Sequence, residues 1–258
     1  MFDALYIGAT GMQAQQTQVD AIANNLTNAN TPAYKKTRVS FTDLVLKAAR
    51  PAGLAAPLGA VQGTGAGVAL ASAIRLFDPG ELKKTDSPMD VAIQGDGFLE
   101  LAMADGTRAY TRGGTLKVNA DGQLATQAGM PLKPGISIPD GASAVVISPT
   151  GRVQVQMNGQ STPVEAGQLE VVRFTNPQGL LAQGGNVYRA TEASGEAIGG
   201  KPGEDGMGSI AQGFVEGSNV KMVEEMVSLM VAQRAYEASV KVVQASDDML
   251  GMVNGLRR

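Results

Sequence analysis

The sequence predicts an α+β protein in which N- and C-terminal helices form a coiled-coil-like stalk around a mainly antiparallel β domain. Three observations carry this reading. The chain from Asn219 onward holds a long apolar stripe at helical spacing, the N-terminal stretch holds a matching one, and short apolar runs separated by turn dipeptides fill the middle.

Asn219 to Arg258 reads as a single helix, about 55 Å long at about 1.5 Å per residue. From Val231 its apolar positions are Val231, Ala235, Ala238, Val242, Ala245, Met249, Met252 and Leu256, alternating steps of four and three. That heptad rhythm belongs to a helix packed along another helix. Val220, Val223 and Val227 extend the stripe upstream, and the run of fours from Val223 to Ala235 reads as a stutter that loosens the supercoil locally.

The other end repeats the rhythm: Phe2, Leu5, Ala9, Met12, Gln16, Val19, Ile22 or Ala23, and Leu26. Gln16 breaks the seam, as a register-setting polar residue does at some cost in stability. This helix should run from about residue 3 to about residue 28, where Asn24 to Thr31 compete for backbone hydrogen bonds and Pro32 pushes Thr31 out of the helical region. Neither helix can bury its stripe alone. Either the two pair in a stalk within one chain, or both assemble with copies of themselves. The small residues Ala235, Ala238 and Ala245 favour the second by allowing close approach on several sides.

Residues 33–47 (Tyr34, Val39, Phe41, Leu44) form a mixed extended arm, and 50–73, nearly free of charge, a flexible Gly/Ala/Pro loop. From about Ala73 to Val215 the signals are strands and turns. Asp105-Gly106, Asp121-Gly122 and Asn158-Gly159 are hairpin dipeptides between apolar runs. Val153-Gln154-Val155-Gln156-Met157 alternates cleanly, so one of its faces should be solvated. The expected domains are therefore an assembly helix at 1–32, an arm and loop at 33–72, an all-β domain at 73–215 and a second assembly helix at 216–258.

Composition narrows the function. Across 258 residues the net charge is −3 and aromatics are 4%, which offers no basic field or stacking platform for nucleic acid. Cysteine and histidine are absent. That removes disulfides, thiolate nucleophiles, His-based triads and His or Cys metal sites. No apolar run reaches the eighteen or so residues needed to span a bilayer. The N-terminus, with Asp3 and no basic n-region, does not read as a cleaved signal peptide.

Candidate chemistry is thin. Gly63-Thr64-Gly65-Ala66-Gly67 has no strand before it and no helix after it, as a phosphate loop would require. Gly195 to Lys201 has P-loop spacing, but Pro202 stands where a Ser or Thr would hold Mg²⁺. Asp90 and Asp96 could pair as acid and base, although Asp96 between two glycines is better read as a turn carboxylate. Met222, Met226, Met230, Met249 and Met252 read as filler at an adaptable interface rather than as a metal groove. No cofactor or metal is expected. Asn25-Leu26-Thr27 matches a glycosylation triplet, but it sits in a helix end.

The segment Asn24-Asn25-Leu26-Thr27-Asn28, followed by Thr31-Pro32-Ala33-Tyr34-Lys35, resembles the N-terminal signature of the bacterial flagellar rod and hook proteins, with Thr27 where that family usually has Ala. Further ordered matches are Asp90-Val91-Ala92-Ile93-Gln94-Gly95-Asp96-Gly97-Phe98, Tyr110-Thr111-Arg112-Gly113-Gly114, Asp121-Gly122-Gln123-Leu124, Gln212-Gly213-Phe214-Val215-Glu216-Gly217-Ser218-Asn219-Val220 and Gln233-Arg234-Ala235-Tyr236-Glu237. Length and the C-terminal segment favour the distal rod branch, and Gly63-Thr64-Gly65 with Val68 resembles a stretch typical of it.

The resemblance implies a structural subunit that polymerises helically through its terminal helices and transmits torque from motor to hook. It would be located in the basal body, where the rod crosses the periplasm, after type III export without a cleaved signal peptide. The implied partners are further copies of the chain, proximal rod proteins, hook or hook-side axial proteins, surrounding ring proteins and the export apparatus. The expected assembly interface is Leu5, Ala9, Met12, Val19, Ile22 and Leu26 with Val223, Val227, Val231, Ala235, Ala238, Val242, Ala245, Met249 and Met252. The competing reading is a secreted β-domain protein that binds or hydrolyses peptidoglycan and carries helical dimerisation arms.

Overall fold

The computed structural model describes residues 2–46, 64–103, 105–158 and 162–255. Helix α1 (Phe2–Thr27) opens the chain and is followed by β1 (Thr37–Leu46) and β2 (Thr64–Arg75). Next come β3 (Leu82–Lys84), β4 (Asp90–Gln94), β5 (Phe98–Ala102), β6 (Arg108–Thr111), β7 (Gly113–Val118), β8 (Leu124–Thr126) and β9 (Leu132–Lys133). Then follow β10 (Ala142–Ile147), β11 (Arg152–Met157), β12 (Val164–Gln168), β13 (Val171–Arg173), β14 (Leu181–Gly184), β15 (Val187–Arg189), β16 (Ile198–Gly200), β17 (Ser209–Gln212) and β18 (Phe214–Glu216). Helix α2 (Met222–Gly255) ends the described chain; its 34 residues span about 51 Å. None of the described helices is long and apolar enough to cross a membrane.

The chain divides into two compact units. One comprises Met1–Thr27, Thr37–Ile74 and Lys221–Arg258; the other comprises Asn28–Lys36 and Arg75–Val220. Two terminal helices and an antiparallel β unit make the protein α+β, as its sequence pattern predicts.

In the first unit, α1 and α2 lie side by side and β1 pairs with β2. Here the structure corrects one expectation. Of the loop expected at 50–73, residues 50–63 lie outside the described residues, but 64–73 are strand, not loop. The uncharged small residues let this strand lie close to α1. Thr10 Oγ1 accepts the Val68 amide hydrogen bond at 3.4 Å. A Cβ at Gly67, whose φ is +105°, would fall 2.2 Å from the same oxygen.

In the second unit every strand pairing is antiparallel. One sheet runs β14-β15-β6-β5-β13-β16 with β9 beside β5; a second runs β17-β4-β7-β8, a third β10-β11-β12, and β18 pairs with β3. Asp105-Gly106 and Asp121-Gly122 sit at the expected hairpins, between β5 and β6 and between β7 and β8. Asn158 follows β11, and its partner Gly159 lies outside the described residues.

Strand periodicity sorts the core into two layers. Leu99, Leu101, Ala109 and Val171 enter an aliphatic cluster with Val91, Ile93, Leu124, Val153 and Ile210. Their neighbours Phe98, Tyr110 and Val172 point the other way, into a second cluster with Phe174, Leu180 and Tyr188. Edge-to-face ring pairs order that second layer: Tyr110–Phe174 at 4.8 Å and Phe77–Phe98 at 5.3 Å between centroids. On β11, Val153 and Val155 are buried and Arg152, Gln154 and Gln156 exposed, so its alternation is realised.

Candidate assembly surface

The helices of the first unit run antiparallel. Gly8 of α1 meets Val243 of α2, Gly11 meets Ser239, and Asn25 reaches Glu225. A Cβ on Gly8 would come within 2.6 Å of Val243 Cγ2, so the bare glycine sets the spacing here. At the far end, Asn25 Nδ2 donates to the Thr37 carbonyl and Asn25 Oδ1 accepts from the Thr37 amide, both at 2.9 Å. The side chain thus engages both backbone groups of the first residue of β1. The same Nδ2 lies 3.3 Å from Glu225 Oε2.

The face of α2 turned to α1 differs from the apolar stripe read in the sequence. Glu225, Ala232 and Ser246 are buried, with Leu229, Ser239, Val243 and Leu250 half-buried between them. Two of these are serines that bond carbonyls of their own helix, Ser239 Oγ to Ala235 at 3.0 Å and Ser246 Oγ to Val242 at 2.8 Å. Satisfied in this way, a serine can be buried without a partner on the other helix. An apolar pattern search passes over such residues, and so it misses the seam within the chain.

The expected interface residues are therefore divided between two situations. On α1, Ile22 is buried, Leu5, Met12, Val19 and Leu26 are half-buried and Ala9 is exposed. On α2, Ala235 is half-buried, whereas Val223, Val227, Val231, Ala238, Val242, Ala245, Met249 and Met252 are exposed. Val223 is 75% exposed and Val231 and Met252 63% each. Beside the valines runs a parallel row, Met222, Met226 and Met230, likewise exposed. Leu256 lies outside the described residues. An apolar strip along so much of a helix is what a single chain in water ordinarily covers.

The second unit holds a buried ion cluster that the sequence reading did not single out. Lys35 Nζ lies 2.7 Å from Glu216 Oε1 and donates to the Asp78 carbonyl at 2.7 Å. Arg112 forks onto the same carboxylate, Nε to Oε2 at 3.0 Å and an η nitrogen to Oε1 at 3.2 Å, and its other η nitrogen donates to the Gly97 carbonyl at 2.7 Å. The Gly80 amide adds a bond to Oε1 at 2.9 Å. Lys35 is 0% exposed, Arg112 and Glu216 2% each. A cluster so dry holds only because each charge is both paired and hydrogen-bonded.

Burial pushes the Glu216 carboxyl up, but the Arg112 fork and the Lys35 ammonium outweigh it and hold it below the ordinary carboxylate range. Burial also pulls Lys35 below the ordinary lysine range, with Glu216 opposing. Beside the cluster, Asn219 Oδ1 accepts from the Lys36 amide at 2.8 Å, and its Nδ2 donates to the Leu76 carbonyl at 2.8 Å and the Asp78 carbonyl at 3.2 Å. Lys35, Arg112, Glu216 and Asn219 each come from a different element, or opposite ends, of the motifs that carry the family resemblance. The charges of Lys35, Arg112 and Glu216, and the glycines that follow Arg112 and Glu216, were the available signal. Sequence spacing gave no way to pair them.

The catalytic candidates come to nothing in the structure. Asp90 accepts from Thr85 Oγ1 at 2.6 Å, Asp96 is an exposed turn residue, and Ile198–Gly200 is a strand rather than part of a phosphate loop. Among the described residues no group of His, Cys, Asp or Glu could hold a metal ion. A helix pair with an uncovered apolar face, joined in one chain to an ion-locked antiparallel β unit, defines a structural protein that works by packing against others.

Family models specify which. Residues 5–35 match the flagella basal body rod protein model, 92–155 the flagellar hook protein FlgE/F/G D1 domain and 211–256 the C-terminal domain of flagellar basal body rod FlgEFG proteins. The chain belongs to the flagellar basal-body rod protein family. It is similar to the flagellar basal-body rod protein FlgG of Borreliella burgdorferi, at 44% identity over 100% of both chains. It is also similar to FlgG of Caulobacter vibrioides, at 41% over 98% of this chain and 99% of that one, and to FlgG of Bacillus subtilis, at 34% over 100% of both. FlgF of Caulobacter vibrioides is 31% identical over 96% of this chain and 95% of its own. The protein is a structural rod subunit of the flagellar basal body, not an enzyme. The peptidoglycan-hydrolase alternative has no support in these matches.

Proposed function

We propose that this chain builds the distal part of the rod by helical polymerisation and transmits torque from motor to hook. The observation that carries this is the uncovered strip on α2, from Met222 and Val223 to Met249 and Met252. Each subunit covers it with helices of its neighbours, giving a coiled-coil-like stalk that continues from chain to chain. Open helical growth needs two different patches to meet. The strip on α2 is one, and the exposed α1 residues Tyr6, Ile7 and Ala9 belong to the other. The remaining partners follow from this position: proximal rod proteins at one end, hook-side axial proteins at the other, ring proteins around the rod, and the flagellar export apparatus, which passes the subunit without signal cleavage.

The test uses full-length protein with Val227→Asp or Ala238→Asp, and Lys117→Asp, at an exposed position of β7, as a control. Either of the first two places an unpaired charge in a packed interface, costing on the order of 3 kcal/mol or more. Sedimentation and electron microscopy of concentrated protein should show polymer for the native chain and the control, and none for the two variants. Polymer from either variant would rule the strip out.

A further inference from the structure

The chain carries 12 methionines, and ten of them fall into two groups in the described structure. Met207 is buried in the aliphatic core, with Met89, Met103, Met130 and Met157 packed against it. Met222, Met226, Met230, Met249 and Met252 stand exposed on α2, on the strip assigned to subunit packing. Met222, Met226 and Met230 step by four beside Val223, Val227 and Val231, so the thioethers flank the valine row for two turns.

An exposed thioether is open to two-electron oxidants, and the product changes its character. Sulfoxide is polar and a strong hydrogen-bond acceptor, where the thioether was apolar and adaptable. We infer that these five methionines are modification sites, oxidised to sulfoxide by a hydroperoxide, and that the modification blocks subunit packing. The inference rests on the assembly reading above. In the step, sulfur gives two electrons to the hydroperoxide, the O–O bond breaks, the terminal oxygen forms the S=O bond and the other leaves with its proton as an alcohol, or as water where the oxidant is hydrogen peroxide. Oxidation acts on the free subunit, whose strip is open, and a packed neighbour then shields the same sulfurs. Val223, Val227 and Ala245 beside the sulfurs of Met222, Met226 and Met249 give a sulfoxide oxygen no donor once the strip is packed, whereas Met230 has Gln233 and Arg234 one turn on.

Full-length protein is treated with hydrogen peroxide, mapped by peptide mass spectrometry and assayed for polymer by sedimentation. The five α2 methionines should oxidise about an order of magnitude faster than Met89, Met103, Met130, Met157 and Met207. Polymer should fall as they do, and return after treatment with methionine sulfoxide reductase. A variant with all five replaced by leucine, close in volume, should polymerise equally well before and after peroxide. Equal oxidation rates for the two groups overturn the inference. So does a fully oxidised strip that still polymerises, or a leucine variant that loses polymer to peroxide as the native chain does. Val227→Asp in the same assay separates the causes. If it polymerises, the strip is not the interface. If it does not, while oxidised native protein does, the methionine inference alone fails.

Discussion

The Lys35 ammonium and the Glu216 carboxylate, 181 residues apart in sequence, meet at 2.7 Å with neither exposed to solvent. Arg112, the residue between β6 and β7, closes on the same carboxylate, so one acidic group holds two cations. Removing the acid leaves both cations buried without a counter-charge. Glu216→Ala should therefore destabilise the β unit by about 3–5 kcal/mol, a fall on the order of 10 °C in its melting temperature. Lys35→Met should cost less, because Arg112 still neutralises Glu216. Calorimetry on the two full-length variants checks the order, and an equal loss would contradict it.

The same carboxylate makes the unit sensitive to acid. Its pKa in the folded chain lies below its ordinary value of 4.5. The stability it contributes is complete above that ordinary value and is lost as pH falls through the folded value, because the unfolded chain takes up the proton first. Chemical denaturation between about pH 3 and pH 7 should show stability falling on the acid side. Glu216→Gln, which cannot titrate, should be less stable at neutral pH and show a shallower acid slope. Parallel slopes would mean that other carboxylates set the acid limit.

Asn219 offers a separate test of how the unit is closed. Its amide serves the Lys36 amide, the Leu76 carbonyl and the Asp78 carbonyl at once. Asn219→Asp keeps the acceptor and loses the donor, and a carboxylate would then face two carbonyl oxygens. A loss of about 1–3 kcal/mol is expected. Amide exchange at Lys36 should accelerate more in Asn219→Ala, which loses the acceptor, than in Asn219→Asp.

Gly8 governs the helix pair. With Val243 Cγ2 so near the place a Cβ would take, Gly8→Val must push the helices apart or force an unfavourable rotamer, at about 1–3 kcal/mol. Circular dichroism should register lost helix at lower temperature than in the native chain. Gly251→Val is the control, since nothing lies within 4 Å of its Cβ position.

Much of this was legible in the sequence because it is local. Apolar spacing located α1 and α2, and the Asp-Gly dipeptides marked the turns before β6 and β8. What was hidden depends on groups distant in sequence or polar in character. The seam between the helices uses Ser239, Ser246 and Gly8, none of which enters an apolar stripe. Residues 64–73 of β2 fall within the run 50–73 that reads as loop, because Ala, Gly and Pro with almost no charge carry no strand signal, although the small residues are what lets the strand lie close to α1. The ion cluster needed Lys35, Arg112 and Glu216 to be recognised as neighbours, and charge alone does not reveal a partner.

Lys36, Leu76 and Asn219 are joined by one another's hydrogen bonds, with the Leu76 amide donating to the Lys36 carbonyl at 3.0 Å. Of the four places where the chain enters or leaves the β unit, three (after Lys36, near Arg75 and after Val220) thus meet at a single gathered point. A unit whose crossings are drawn together in this way behaves as an insert on a short common root, since termini that lie close tolerate grafting and exchange. Everything beyond the root can be lengthened, shortened or replaced without altering the separation of the strands that pass through it. The β unit is free to diversify while its attachment stays fixed.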